Sequence, residues 1–329
     1  MCAVENPYKV SIGIPIYGVE KYIERCARSL FEQTYENIEY VFVNDCTRDC
    51  SVDILKKVIR EYPNRVSQVK ILNHAENQGL GAARNTAVDN ASGVFLMWVD
   101  SDDYVDLKCV EKLVAKQVEA DADIVSCDAY YDYGSYKTVC SVKIPDDARK
   151  ACLDIVACRA EHEVWGRLYR TVLYTGNKIK VKQGCDMGED RQVVPRLFFY
   201  AKKIAVLHEP LYYYYKGNVS AYTSTFSEKK ASQWLESIEL LEDFFKDKSP
   251  EFQHAQQVGA AVMTAQLMAG CARRGSAKTY RLIREKMNEI NCSAIKEVSP
   301  SYRVFFILRG RLLLKIYAKI GHLWKHKTK

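Results

Sequence analysis

The first 125 residues alternate apolar runs with amphipathic ones. "YKVSIGIPIYG" (8–18) reads as a buried strand, closed by Pro15 and a glycine turn at Gly18. In the following "VEKYIERCARSLFEQT", Val19, Ile23, Ala27 and Leu30 fall on one helical face. "NIEYVFVN" is a second buried strand. It ends in the polar turn "DCTRDCS", where Asp49 or Ser51 can cap the helix "VDILKKVIREY". "RVSQVKILNH" reads as a third strand. A small-residue helix, "GLGAARNTAVDNAS", places Leu80, Ala83, Ala87 and Ala91 at helical spacing. "GVFLMWV" is a fourth strand and "DADIVSC" a fifth. This rhythm predicts an α/β fold with a mostly parallel central sheet and helices on both faces. Such sheets bind ligands beyond the carboxyl ends of their strands. Polar clusters stand at those ends: Tyr17 and Gly18, Asn44 and Asp45, Asn73, and Asp100 to Asp103.

The rhythm changes after about residue 130. Short β-like pieces ("SYKTVCSVKI", "KIAVLH", "LYYYYKG") interleave with helices around 147–160 and 189–201. From Ser227 the chain reads as helical, with Trp234, Ile238, Leu241 and Phe245 as a core stripe. Three regions are expected: 1–105, 106–226, and a helical 227–329.

Composition narrows the class. With 48% hydrophobic and 27% charged residues, the 329-residue chain is that of a folded globular protein. No run approaches the roughly 18 apolar residues of a spanning helix, and "MCAVENPYKV" has no apolar signal core, so a cytoplasmic location is expected. None of the twelve cysteines is in CxxC spacing, which favours reduced, packed thiols over zinc. The net charge is +7, yet the tail from Arg303 to Lys329 holds eight Lys or Arg and no acid, leaving the other residues at −1. The body of the protein therefore carries no nucleic-acid footprint.

In that tail Phe305, Leu308, Leu312, Ile316, Ile320 and Leu323 share one helical stripe. Arg311, Lys315, Lys319, His322 and Lys325 occupy the rest, and Trp324 could sit at headgroup depth. This pattern predicts a helix lying on an anionic membrane surface through residues 303–329, at the inner face of the cell membrane. The plainer reading is a helix packed on its own domain with a solvated basic face.

The stretch "GVFLMWVDSDDYVD" sets three carboxylates at the mouth of a buried strand. In an extended segment Asp100 and Asp102 point the same way and can share a cation. Mn²⁺ or Mg²⁺, which take oxygen ligands and leave positions for phosphate oxygens, suit them best. The plainer reading has the acids cap the helix near Leu107, and Asp103 is expected to do so. A second acidic pair, Glu189 and Asp190 in "CDMGEDRQVV", stands at a predicted helix start.

The order "VSIGIPIYG…NIEYVFVNDCTRDCS…NQGLGAARNTAVDNASGVFLMWVDSDDYVD" resembles the inverting family 2 glycosyltransferases with the GT-A fold, of the bacterial cell-surface polysaccharide type. The likeness covers roughly residues 9 to 110. A looser match runs on to about 225 through "EVWGRLYR", "GEDRQVVPRLFFYAKK" and "LYYYYKGNVSAYT". The resemblance implies a nucleotide site of Pro15, Tyr17, Asp45, Arg84, Asp100 and Ser101, with Asp45 on a uracil ring. It implies Asp102 as metal ligand, Trp165 near the acceptor, and Asp190 as catalytic base with Glu189 as neighbour or alternative base. The chain departs from the family at Cys46, where Gly is common, and at Gly18, where Asn is usual. The implied activity is metal-dependent, inverting transfer of a hexosyl or N-acetylhexosaminyl group from a nucleotide-sugar, most simply a UDP-sugar. The acceptor would be a glycan or lipid-linked glycan. The alternative is a catalytically silent nucleotide-sugar-binding protein.

Overall fold

The computed structural model describes residues 7–218 and 226–308. Five strands alternate with helices in the first part: β1 (Val10–Ile16), α1 (Ile23–Phe31), β2 (Ile38–Asn44), α2 (Ser51–Glu61), β3 (Val69–Asn73), α3 (Leu80–Asn90), β4 (Phe95–Trp98), the short β5 (Tyr104–Val105) and α4 (Cys109–Ala120). There follow β6 (Ile124–Asp132), β7 (Lys137–Cys140), α5 (Ala148–Val156), β8 (Arg167–Arg170), α6 (Val172–Gly176), α7 (Glu189–Tyr200) and β9 (Ile204–Tyr215). Helices α8 (Glu228–Phe245), α9 (Pro250–Arg274), α10 (Ala277–Asn288), α11 (Cys292–Glu297) and α12 (Pro300–Ile307) complete the described chain.

One sheet runs in the order β3-β2-β1-β4-β8-β6-β9-β5, with β7 on β6. From β3 to β4 every pairing is parallel. Beyond β4 it is mixed: β8 is antiparallel to both β4 and β6, and β9 is parallel to β6. Two antiparallel steps restore the original direction, so β6 and β9 end on the same side of the sheet as β1, β2 and β4. The continuous apolar runs explain the parallel part. All seven residues of β1 are buried, as strands covered on both faces require. The predicted α1 face is realised, since Ile23, Ala27 and Leu30 are fully buried. At α2 Asp49 takes the capping role, its Oδ1 accepting from the Ser51 amide and hydroxyl.

The described residues form two compact units. The first holds the chain through Cys152, with Glu161–Gly184 and the segment from Glu189 to the end of β9. The expected boundary at 105/106 falls inside it. Its core gathers Ile12, Ile14, Phe42, Met97, Val110, Leu168 and Tyr212. The second comprises Leu153–Ala160, Cys185–Gly188 and the helices from α8 onward. There Met268, Cys271, Ile283, Met287 and Phe305 form a core, and the expected α8 stripe is buried at Ile238, Leu241 and Phe245.

Among the described residues no helix is long and apolar enough to cross a membrane. The described cysteines are all free thiols. The basic stripe expected of the tail lies outside the described residues from position 309 on.

Candidate active site

The site is built from β1 and β4 upward. Gly13 pairs with Trp98 across these strands, and a Cβ at Gly13 would lie 2.4 Å from the indole ring. Only glycine therefore lets the indole lie across β1. The fully buried Trp98 donates from Nε1 to the Tyr174 hydroxyl at 2.9 Å. The Arg84 guanidinium lies over its ring, 5.2 Å from the centroid.

Arg84 projects from α3 and is 3% exposed. Its Nη2 meets three carboxylates: Asp100 Oδ1 at 3.0 Å, Glu189 Oε1 at 3.5 Å and Asp190 Oδ1 at 3.8 Å. Nε and Nη1 are buried with no hydrogen-bond partner among the described residues, and so is Asp190 Oδ1. The fold thus brings together four of the residues singled out in sequence, from the end of β4, the body of α3 and the first turn of α7. One guanidinium cannot neutralise three acids. Burial pushes Glu189 up, with Arg84 opposing and Asp100 adding to the rise. Burial pushes Asp190 well above the usual carboxylate range, reinforced by Glu189 and opposed by Arg84. Side-chain exposures of 13% and 18% at Glu189 and Asp190 leave both within reach of a substrate.

The acids after β4 do not form the extended segment that alternation suggested. The Asp103 amide bonds the Asp100 carbonyl at 2.9 Å, closing a tight turn. Asp100 faces Arg84, while Asp102 Oδ2 accepts from Asn218 Nδ2 at 2.8 Å. The two acids still sense each other, because burial first and Asp100 second raise Asp102. Ser101 turns inward and donates to the Pro15 carbonyl at 2.6 Å, tying the turn to β1. Tyr17, just past β1, is 53% exposed.

Asp103 does not cap the next helix. It is fully buried, accepting from the Tyr212 hydroxyl and the Tyr215 amide, each at 2.7 Å. At the start of α4 Asp106 does the local work, accepting from the Lys108 amide.

Asp45 is buried and already occupied. Oδ1 accepts from His74 Nδ1 (2.7 Å) and the Gln78 amide (2.8 Å), and Oδ2 from Asn77 Nδ2 (2.9 Å) and the Gly79 amide (2.8 Å). Gly79, at φ +94°, makes the turn that aims this amide. Asp45 thereby holds the 74–79 turn onto the end of β2, and a contact with a base would have to displace or share one of these donors.

Trp165 stacks on Tyr212 (4.7 Å between centroids) and Tyr214 (5.2 Å), nearly parallel to both. Successive tyrosines of β9 point to opposite faces: Tyr212 and Tyr214 lie under Trp165, whereas Tyr213 stacks on Tyr104 and Tyr130. Of the residues that hold the acids, Tyr212 and Asn218 lie in the stretch "LYYYYKGNVSAYT" without a role read for either in sequence, and Arg25 stands in α1 with no motif of its own. Among the described residues no group of three or more His, Cys, Asp or Glu is placed to hold a metal.

Residues 11–152 match the model of glycosyl transferase family 2. The chain is similar to the glycosyltransferase GlyA of Streptococcus pneumoniae, 31% identical over 71% of this chain. It spans about a third of that relative's length, 34%. The fold matches residues 1–349 of Staphylococcus aureus TarS, solved in complex with UDP-GlcNAc, with a TM-score of 0.70 at 20% identity, covering 97% of this chain and 92% of that one. A more distant match is the mannosyltransferase PcManGT of Pyrobaculum calidifontis, solved with GDP-Man and Mn²⁺. Its TM-score is 0.54 at 15% identity, covering 97% of this chain and 88% of that one.

Proposed function

We propose, from the match of residues 11–152 to glycosyl transferase family 2, that this chain transfers one sugar from a nucleotide-sugar, a UDP-sugar, to a glycan or lipid-linked glycan acceptor in cell-surface polysaccharide synthesis. One observation carries this reading. Asp190 Oδ1 is a buried carboxylate oxygen without a hydrogen-bond partner among the described residues, beside an arginine that also holds the acid at the end of β4. An acid so placed can receive a proton, and its raised pKa brings it toward the working range of a general base.

Asp190 is the base: its carboxylate, reached through the part of the side chain that stays exposed, takes the proton of the acceptor hydroxyl as the hydroxyl oxygen attacks the anomeric carbon. Glu189, nearer to Arg84, holds the guanidinium and adds negative charge beside the base. With one base and no carboxylate acting as nucleophile, displacement is direct and inverts the anomeric centre. Trp165, stacked on Tyr212 and Tyr214, offers an aromatic face to the acceptor. On the donor side, Pro15, Tyr17, Asp45, Arg84, Asp100 and Ser101 border the nucleotide. Arg84 acts from behind Asp100, and Asp45 through the turn it pins.

Asp100 and Asp102 offer oxygen donors only, and their mutual repulsion is relieved by a hard cation, so the residues fit Mn²⁺ or Mg²⁺. Asp102 would hold it, with Asp100 alongside. Such an ion supplies electrostatic stabilisation of the departing diphosphate.

The test is calorimetric titration of UDP and GDP with and without Mn²⁺, followed by assay of UDP release from UDP-GlcNAc and UDP-glucose. Manganese-dependent UDP binding that is lost in Asp102→Ala supports the reading. Absence of metal-dependent binding of either nucleotide overturns it. Binding without turnover of any donor, in the presence of glycan acceptors, leaves the silent binding protein instead.

A further inference from the structure

Tyr212 is fully buried on β9, and its two ends touch different parts of the site. Its hydroxyl accepts from the Asp100 amide at 3.2 Å and donates to Asp103 Oδ2 at 2.7 Å. Its ring is stacked under Trp165. The other Asp103 oxygen accepts from the amide of Tyr215, three residues along the same strand. Past the strand end Asn218 donates to Asp102 Oδ2. The Arg25 guanidinium, over the rings of Tyr104 and Tyr215, donates to the Asp102 carbonyl at 3.1 Å.

From these contacts we infer that Tyr212 is a positioning residue that ties the acid turn 100–103 to the aromatic platform under Trp165. The inference rests on the functional reading above and deepens it. A two-residue β5 and a tight turn cannot fix three carboxylates against their mutual repulsion by backbone bonding alone. The Asp103 carboxylate acts as the anchor. It sits where water cannot serve it and is satisfied by β9, so Asp100 and Asp102 leave the turn in fixed directions. A side chain with a ring but no hydroxyl would fill the same volume and keep the stack on Trp165. It would leave the Asp100 amide and Asp103 Oδ2 without this partner. The strand that carries the acceptor platform therefore also sets the donor acids, and a shift of one is felt by the other.

The experiment uses the full-length protein and Tyr212→Phe, with two readouts. Amide hydrogen exchange without ligand is followed for residues 100–104 and for the core strands β1 and β6. Affinity for Mn²⁺ in the presence of UDP is read by electron paramagnetic resonance. Expected are exchange at least tenfold faster confined to the turn, Mn²⁺·UDP binding about tenfold weaker, and unchanged emission from Trp165 read against a Trp165→Phe control. Asp103→Asn, which keeps the shape of the anchor, should fall between the two. Exchange unchanged at the turn, or accelerated equally in β1 and β6, overturns the inference, because the hydroxyl would then be absent from the turn or only a contributor to general stability. If wild type binds no Mn²⁺·UDP, the nucleotide reading fails, and the exchange result alone still decides what Tyr212 positions.

Discussion

Arg84 Nη2 lies 3.0 Å from Asp100 Oδ1, a partly buried pairing that joins the end of β4 to the acids of α7. Arginine remains charged here, and burial alone would oppose that charge, so the three neighbouring acids hold it in place. Arg84→Met leaves Asp100, Glu189 and Asp190 without their shared counter-charge. A loss of about 3–5 kcal/mol at pH 7.5 is expected in urea melts, as for a broken buried pair. The deficit should shrink as pH falls and the raised carboxyls protonate, because their mutual repulsion falls with their charge. A variant as stable as wild type at pH 7.5 and at lower pH would show that the cluster is not ionised.

Asp190→Asn removes the proposed base and leaves Asp100 and Asp102 untouched. A fall in kcat of about 10²–10⁴-fold is expected, with Mn²⁺·UDP affinity within about twofold of wild type. Glu189→Gln should cost less, on the order of tenfold. Equal losses in the two variants would move the base assignment to the pair. Because Asp190 is raised, the acid limb of kcat should lie above the ordinary carboxylate range, activity falling as pH drops through it.

Glu39 titrates in the opposite sense. It is buried at the far end of the site strands, accepting from the Ser11 and Ser92 hydroxyls and the Ser92 and Gly93 amides, with Lys9 at 3.1 Å and Lys70 at 2.9 Å. Burial works against its charge, but these bonds outweigh it and hold the carboxyl far below the ordinary value near 4.5. Its contribution is therefore present above about pH 4.5 and is lost as pH falls. Glu39→Gln should cost about 2 kcal/mol at pH 7, and the difference from wild type should close on acidification. Asp102, Asp103 and Asp190 are raised, so their contribution runs the other way and declines as pH rises toward neutral. Added Mn²⁺ should offset that decline at Asp102, read as a rise in melting temperature.

Cys46 holds φ +54° immediately after Asp45, in the left-handed region where a Cβ is strained. Cys46→Gly removes that strain at the loss of one weak thiol contact to the Ala75 carbonyl. A gain of about 1 kcal/mol is expected in denaturant melts, with nucleotide binding unchanged. A destabilised variant would mean that the thiol contact matters more than the backbone strain.

The parallel half of the fold was legible because its signals are local. Apolar runs at β1, β2 and β4 and the face of α1 follow from burial on both sides of a sheet, whatever the rest of the chain does. The mixed half was less so. Short strands such as β8 take their direction from neighbours far along the chain, and "KIAVLH" and "LYYYYKG" proved to be one strand, bulged against β6 at Asp128. Asp103 shows the same limit. As a helix-start acid it looked like a cap, but its burial depends on β9, which no local window contains.

The sequence by itself determined that acids would stand at the strand ends and that Glu189 and Asp190 would open a helix, because periodicity and helix-start chemistry act over a few residues. Only the tertiary structure decided that Arg84 faces Asp100 and both α7 acids, that Asp45 is occupied by the 74–79 turn, and that Tyr212 carries both the acid turn and Trp165. Those relationships are long-range. They arise where packing a buried charge obliges distant segments to supply its partners, and a one-dimensional pattern carries no record of which segments those will be.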